Sequence, residues 1–411
     1  MRLAVLSLVV VGFAAPALAR ELTLAQVEAL VARNNRELLA ARRALESADA
    51  QTVIAGARPN ATFSVNSTSI AGGTPQGQGA DTVFRIDQPF ERGDKRSLRL
   101  DAASGLRLAA QRDSLDVLRQ QLAAARAAYF DLKQAQERAQ VLDETAELFG
   151  DTLKAAQTRL KAGDLAAADV AKVEVDQGRA QNDARAARAD LARAQLALAY
   201  LIGEEAAAAE LAAADAWPAP QRADAAALAE AVEARPDVQA AKARVEAAER
   251  LRDLARAQRT RDVTLGAQYE HFPGTNPANS VGFGISVPLF TGYDFSGDIR
   301  KAEVDRYAAL DQLERARAIA MGELRRAASD LNSAAERMER FDSSLLAAAG
   351  RSSEAVEFAF RRGASSVLEV LDARRTLRAV RLEALTARTD HAKAYAAWRA
   401  AQTTADMLEA K

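Results

Sequence analysis

Glu369 and Asp372 are the residues best suited to act together on a small charged solute. They lie three positions apart in a segment that predicts a helix, so their carboxylates share one helix face. If copies of the chain surround a common axis, each position forms an acidic ring, which attracts cations and disfavours anions. Asp169, 200 positions before Glu369, is a third candidate. The alternative is that all three are solvated helix residues, because a helix dipole favours acids near its N-terminus.

Side chains suited to enzymatic or metal chemistry are few. His271 and His391 are the only histidines, and neither has metal-ligand spacing to another ligand. Cysteine is absent, and no phosphate loop or nucleophile elbow is present. The sequence therefore predicts no enzyme, no cofactor and no bound metal. With 55 basic and 56 acidic residues, its bulk charge also argues against a nucleic-acid partner.

The N-terminus has the pattern of a secretory signal. Arg2 precedes an apolar stretch, Leu3–Ala15, which is short for a membrane span, and Ala17–Ala19 is a small-residue cleavage site. We therefore predict a signal peptide at residues 1–19; a retained anchor is the alternative. No later segment has the roughly 20 apolar residues of a transmembrane helix, so any entry into a membrane requires strands.

The rest of the chain repeats itself. Landmarks recur at an offset of 199 or 200 residues, including two prolines, two glycines before a helix and two glycines at a turn. These pairs are Pro89 with Pro288, Gly93 with Gly292, and Gly163 with Gly363. We predict two structural repeats, at residues 20–215 and 216–411, joined at Trp217–Pro220.

Each repeat predicts the same order of elements: helix, strand, strand, long helix, return helix. The first helix begins at a capping box formed by Thr23 and Gln26 and runs to Ala57. In the first repeat the later elements are strands 61–70 and 82–88 and helices 95–161 and 166–202. In the second they are helix 225–260, strands 262–270 and 281–289, helix 297–360 and a last helix ending near the C-terminus. Leucine, alanine and tyrosine at gaps of 3 and 4 in the long helix predict a coiled-coil seam.

The predicted strands alternate in polarity. In the fourth, Val281, Phe283 and Ile285 alternate with Gly282 and Gly284, as in strands of a membrane barrel. The alternative is that two amphipathic hairpins cap a soluble helical bundle. Four strands cannot enclose an open pore, and lipid does not tolerate unpaired edges, so a membrane form must oligomerise.

With these features the chain resembles the TolC family of outer-membrane efflux proteins over essentially its whole mature length. The resemblance rests on the repeat, the element order and the motif Gly363–Asp372, which reads GASSVLEVLD. It implies a mainly α-helical fold with membrane β-strands, and a homotrimer with a twelve-stranded barrel and an α-helical periplasmic tunnel. It also implies a Gram-negative outer membrane, a periplasmic adaptor (membrane fusion) protein and an inner-membrane pump of RND type.

The resemblance also assigns roles to residues. It places Glu369 and Asp372 at the pore constriction, with Asp169 contributing, and makes the turns around Gly163, Gly363 and Ser365 the adaptor-docking tips. The family often has an arginine two residues after the turn glycine, where this chain has Ser365. The closed tip is therefore held differently here, and Arg361 and Arg362 are candidate substitute cations.

A segment between the second strand and the long helix narrows the resemblance. Gln88–Arg96 is similar to a segment of the CzcC-like heavy-metal branch, although Asp94 replaces a glycine; the alternative is an ordinary strand-to-helix junction. The predicted function is the outer-membrane channel of a tripartite efflux system that exports small solutes, metal cations or drugs. A type I protein-secretion duct and a periplasmic adaptor or coiled-coil structural protein are the alternatives.

Overall fold

The structure is a computed structural model that describes residues 20–68, 80–224, 228–273, 276–362 and 364–409. The predicted signal peptide, most of the predicted loop 71–80, and Gly363 lie outside the described residues. Among the described residues, every helix is too short or too polar to cross a bilayer on its own.

The elements follow the predicted order. Those of the first half are β1 (Arg20–Leu22), α1 (Leu24–Asn34), α2 (Arg36–Gly56), β2 (Thr62–Thr68), β3 (Asp81–Phe90), α3 (Lys95–Lys161), α4 (Ala167–Ile202) and β4 (Leu211–Ala213). Those of the second half are α5 (Leu228–Glu233), α6 (Pro236–Ala257), β5 (Val263–Phe272), β6 (Ala278–Ser286), α7 (Ser296–Arg340), α8 (Leu346–Arg361), α9 (Val367–Ala401) and α10 (Ala405–Glu409). A 3-10 turn, Glu205–Glu210, precedes β4, and a π turn, Phe341–Leu345, joins α7 to α8.

The described residues form two compact units. The first contains the described residues of 1–39, 117–228 and 322–403, and the second contains those of 40–116, 229–321 and 404–411. Both halves of the sequence contribute to each unit. The predicted repeats are therefore divisions of the sequence, and their boundaries at 20–215 and 216–411 stay a prediction.

The first unit is built mainly from helices packed along the predicted seam. Leu122, Ala125, Tyr129 and Leu132 of α3 are all buried. The Tyr129 hydroxyl donates to the Leu22 carbonyl at 3.1 Å and accepts from the Asp215 N–H at 2.9 Å. It thereby ties the seam to the short parallel pair of β1 and β4. Sequence reasoning missed this pair, because three-residue strands have no periodicity to detect.

The second unit contains a four-stranded antiparallel sheet in the order β2-β3-β5-β6. The four predicted strands are confirmed, but the bounds of β3, β5 and β6 differ from the prediction by one to three residues. We expected Pro89 to end β3, yet it pairs with Thr264. Since pairing with β2 stops at Asp87, Pro89 faces no β2 residue, and a proline is tolerated at such an edge. The fourth strand ends at Ser286 rather than 289, because Pro288 cannot donate to the ladder.

The first predicted helix is two helices. Asn35 has an extended backbone, with φ −63° and ψ 129°, between α1 and α2. Its side-chain oxygen accepts from the N–H groups of Glu37 and Leu38 at 3.0 and 3.2 Å, so Asn35 caps the second helix. The Thr23–Gln26 capping box is confirmed. The matching helix of the second half is likewise divided, since α6 begins afresh with Pro236 in its first turn.

The π turn accounts for the change of offset between the halves. At its start, Asp143 and Asp342 correspond at an offset of 199; after it, Arg188 and Arg388 correspond at 200. The ion pairs they form are equivalent, at 2.8 Å for Arg188 with Asp143 and 2.7 Å for Arg388 with Asp342. A π turn adds one residue to a helix without ending it. The second half therefore contains one extra residue here and keeps its downstream pairing.

Candidate functional site

The two helical hairpins of the first unit end in turns of the same design. After α3, Gly163 adopts φ +85°, and the N–H of Asp164 donates to the Arg159 carbonyl at 2.9 Å. After α8, the N–H of Ala364 donates to the Ala359 carbonyl at 2.9 Å. Both bonds satisfy a carbonyl that the helix end would leave free. We refer to residues 160–165 and 360–367 as the tips; Gly363, a predicted docking residue, lies outside the described residues.

Behind the tips, the two hairpins share one apolar cluster. Helices α3, α4 and α9 contribute its buried members, and Leu165 and Phe360 of the tips pack against it. The buried members are Phe149, Ala156, Val170, Val173, Ala180, Val367 and Leu371. The Arg159 guanidinium also lies 5.3 Å from the centre of the Phe360 ring, so a residue of one hairpin covers the other. The tips are therefore packed against each other within one chain.

Glu369 lies in the first turn of α9 and completes a capping box with Ser366. The Ser366 hydroxyl accepts from the Glu369 N–H at 3.3 Å, and the Glu369 carboxylate accepts from the Ser366 N–H at 3.1 Å. The Ser365 hydroxyl donates to the same carboxylate oxygen. These donors hold the pKa of Glu369 below its ordinary value, and the hydrogen bond from Ser365 has the largest effect. Glu369 is thus exposed and ionised, and it also stabilises the start of α9.

The other two predicted constriction residues have different surroundings. Asp372 is exposed one turn beyond Glu369, on the same helix face. Asp169 is the third helical residue of α4 and pairs with Lys172 on its own helix at 3.1 Å. Within the described ranges, no ion pair or hydrogen bond joins Asp169 to either of the others. The roles of all three in a constriction stay predictions.

Of Arg361 and Arg362, the expected substitutes for the tip arginine, the structure describes the side chain of Arg362 alone. The Arg362 guanidinium lies 4.6 Å from the centre of the Phe358 ring, so it is held against its own helix. The side chain of Arg361 lies outside the described residues. Ser365, where the family often has arginine, supports Glu369 instead.

Three arginines near the start of α9 connect the hairpins, and sequence reasoning missed them. Arg374 pairs with Glu357 of α8 and donates to Thr152 of α3. Arg375 contacts Asp176 of α4, with Nη2 2.7 Å from one carboxylate oxygen and 2.5 Å from the other. One turn further on, Arg378 of α9 pairs with Asp183 of α4. The two α4 acids are seven residues apart, two helical turns on one face, but this spacing does not identify their partners on α9.

The sheet of the second unit has one apolar face. Residues paired across neighbouring strands form apolar rows that are exposed in the single chain. One row is Phe63, Ile86, Ala267 and Phe283; the next is Val65, Phe84, Tyr269 and Val281. Phe283 and Ile285 remain 86% and 74% exposed. An apolar face of this extent is unsuited to water and suited to lipid or a protein partner.

The opposite sheet face is polar and rich in glycine. Its charged side chains are one arginine, Arg85, and three acids, Asp81, Asp87 and Glu270. Arg85 donates to Asp87 through Nε at 2.7 Å and Nη2 at 2.9 Å, and to Gln268 through Nη1 at 3.3 Å. In the described ranges, acidic and histidine side chains nowhere gather in a group of three or more that would hold a metal ion.

Comparisons with known proteins agree on one family. Residues 28–204 and 227–403 each match the family described as outer membrane efflux protein. The chain is 27% identical over 371 residues to the cobalt-zinc-cadmium resistance protein CzcC of Cupriavidus metallidurans, covering 89% of this chain and 86% of that protein.

Solved structures share the fold. A membrane protein from Pseudomonas aeruginosa aligns with a TM-score of 0.78 at 18% identity, covering 92% of this chain and 93% of the other. The outer membrane protein VceC from Vibrio cholerae aligns with a TM-score of 0.75 at 19% identity, covering 93% and 96%.

Proposed function

Because this chain belongs to the outer membrane efflux protein family, we propose that it is the outer-membrane channel through which a tripartite pump exports divalent metal cations. The family consists of transporters rather than enzymes, and its members lie in the outer membrane and extend into the periplasm. Family membership also places the chain in a system with an adaptor and a pump, and decides against the adaptor alternative. The predicted TolC-like fold is confirmed.

The observation that best supports a channel is the four-stranded sheet, which has one apolar face, one polar face and, among the described strands, two unpaired edges. Within the described residues, β2 and β6 each have a neighbour on one side only. Lipid does not tolerate unpaired strand edges, so four strands must continue into strands of other copies. In the proposed homotrimer, β6 of one copy pairs with β2 of the next and closes a twelve-stranded barrel. The apolar face then contacts lipid and the polar face lines the bore.

Matched substitutions on β6 test this orientation. An arginine on a lipid-facing position near the bilayer midplane costs about 2–4 kcal/mol, whereas a bore-facing one is tolerated. Phe283→Arg therefore prevents recovery of the chain in outer membranes, while Ser280→Arg, on the opposite face, leaves recovery unchanged. Equal recovery of both variants would count against the barrel.

The proposed substrate class rests on the relative and on the acids. The curated relative is named for resistance to cobalt, zinc and cadmium, and the similarity spans most of both chains. Exposed Glu369 and Asp372, repeated in three copies, would give the tip two acidic rings, which favour cations. We further propose an RND-type pump as the inner-membrane partner, and the tips as the surface that the adaptor contacts.

A deletion strain separates metal export from other cargo. Loss of the gene is expected to lower the tolerated concentrations of Co²⁺, Zn²⁺ and Cd²⁺ while leaving tolerance of hydrophobic drugs unchanged. A plasmid copy of the wild-type gene restores metal tolerance. Drug sensitivity with normal metal tolerance would overturn the substrate class and leave the channel intact.

A further inference from the structure

The polar face of the sheet carries a charge arrangement that the proposed channel does not require. Among the strand residues described on that face, Arg85 is the only base, beside Asp81, Asp87 and Glu270. A cation-exporting bore with a free arginine ring would repel its own cargo. The way Arg85 is held therefore matters to selectivity.

Arg85 is held flat by three hydrogen bonds. Asp87, two residues along β3 and so on the same face, accepts from Nε and Nη2 in a bidentate pair at 2.7 and 2.9 Å. Gln268, the cross-strand partner of Arg85 on β5, accepts from Nη1 at 3.3 Å. The guanidinium thus points along the sheet rather than away from it. Its charge is compensated at the site, leaving Asp81 and Glu270 to set the sign of the face.

Glycines under the pair make this conformation possible. Gly266 is the cross-strand partner of Asp87, and a Cβ there would lie 2.9 Å from Arg85 Nη2 and closer still to the Asp87 carboxylate. Gly284, paired with Gly266, is 3.7 Å from the same nitrogen at its own Cβ position. Any larger residue at Gly266 would force the ends of both side chains to move. The glycines that weaken strand propensity here therefore provide space for two charged side chains.

We propose that the Arg85–Asp87 pair maintains the cation selectivity of the bore. Asp87 neutralises Arg85, and Gly266 and Gly284 leave space for both side chains to lie against the sheet, out of the ion path. This inference rests on the proposed function, since it takes the polar face as the bore lining. In the trimer the pair would recur three times at one depth of the barrel. Loss of Asp87 would then create a ring of three uncompensated arginines.

The test is the ratio of cation to anion permeability of the purified full chain in planar bilayers, from reversal potentials in a KCl gradient. Asp87→Asn is expected to lower the ratio at least about threefold, because it leaves an unpaired arginine in each copy. The matched control, Asp81→Asn, removes the same charge from the same face without releasing a base, so its effect is smaller. Arg85→Gln is expected to raise the ratio.

The double variant with Arg85→Gln and Asp87→Asn decides the matter. It removes one charge of each sign, so its ratio is expected to return close to the wild-type value. Equal effects of Asp87→Asn and Asp81→Asn, or a double variant as anion-permeable as Asp87→Asn, would overturn the inference while leaving the channel intact. Absence of any conductance from the wild-type chain would instead overturn the proposed function. If Asp87→Asn alone fails to insert, Arg85→Gln and the double variant still give both answers.

Discussion

The carboxylate of Asp176 on α4 is nearly buried, whereas its partner Arg375 on α9 is half exposed. The side chains are 6% and 54% exposed, with the closer oxygen 2.5 Å from Nη2. A carboxylate removed from water depends on its partner far more than an exposed guanidinium does. This contact therefore holds α9 against α4, and most of the free energy of desolvation falls on the Asp176 carboxylate.

Removing Arg375 should destabilise the first unit. Arg375→Ala leaves the Asp176 carboxylate without its charged donor, and we expect a loss of about 2 kcal/mol, since hydrogen bonds to charged groups contribute about 1.5–3 kcal/mol. The measurement is the thermal unfolding midpoint of the detergent-solubilised protein. Arg351→Ala, at an exposed arginine of α8 with no ion pair among the described residues, should leave the midpoint unchanged. Equal midpoints for both variants would show that the contact contributes nothing.

Glu369 combines a helix cap with a charge, and two substitutions separate them. Glutamine can still accept from the Ser366 N–H, so Glu369→Gln should keep stability and lower cation selectivity in bilayers. Glu369→Ala should lose both, because alanine cannot accept from the Ser366 N–H. If Glu369→Gln conducts with wild-type selectivity, Glu369 is a capping residue only.

Stability should depend on pH through His391. This buried side chain accepts from the Gln221 N–H at 3.0 Å through Nε2. Burial lowers its pKa, opposed by the backbone hydrogen bond with Gln221 and then by Glu339, which pairs with Arg222. In the unfolded chain the His391 imidazole binds a proton near pH 6.5, whereas in the folded chain it does so only at lower pH. Stability therefore falls as the pH drops from about 6.5 towards the folded pKa, and the loss stops growing below it.

The two histidines allow a matched test of this pH dependence. His391→Gln, which retains an acceptor, should flatten the slope of unfolding midpoint against pH, whereas His271→Gln on the exposed β5 should not. A slope unchanged by His391→Gln would assign the pH dependence to other groups.

Two glycines of the first hairpin should respond to alanine with opposite signs. Gly163 has φ +85° with open space around its Cβ position, so Gly163→Ala costs about 1 kcal/mol from backbone strain alone. Gly150 lies within α3 with equal space, so Gly150→Ala should stabilise by about 0.5–1 kcal/mol. Unfolding midpoints of the two variants, measured side by side, should lie on either side of the wild-type value.

Local patterns predicted the sheet and the long helices well. Alternation over the predicted strands identified the two faces, because a period of two determines which side chains share a face. The ends of α3 and α4 followed from Gly163 and Gly203, where the chain must turn.

Other features depend on contacts distant in sequence. The break at Asn35 is stabilised in part by Gln121 and Leu201, which accept from its side-chain amide. The partners of Arg374 and Arg375 lie up to 222 residues away in these contacts. Period and propensity describe neighbours along one element, so neither could indicate these partners.

The π turn at Phe341–Leu345 affects how the two halves of this chain are aligned. One residue added to a regular α-helix would turn everything after it by about 100° around the axis and move the inward-facing positions off the packed face for the rest of the hairpin. A gapless comparison of the two halves is therefore out of phase on one side of residue 343, wherever it is anchored. Placing a single gap inside the helix, against the usual habit of confining gaps to loops, brings Asp143 opposite Asp342 and Gly150 opposite Gly350 together.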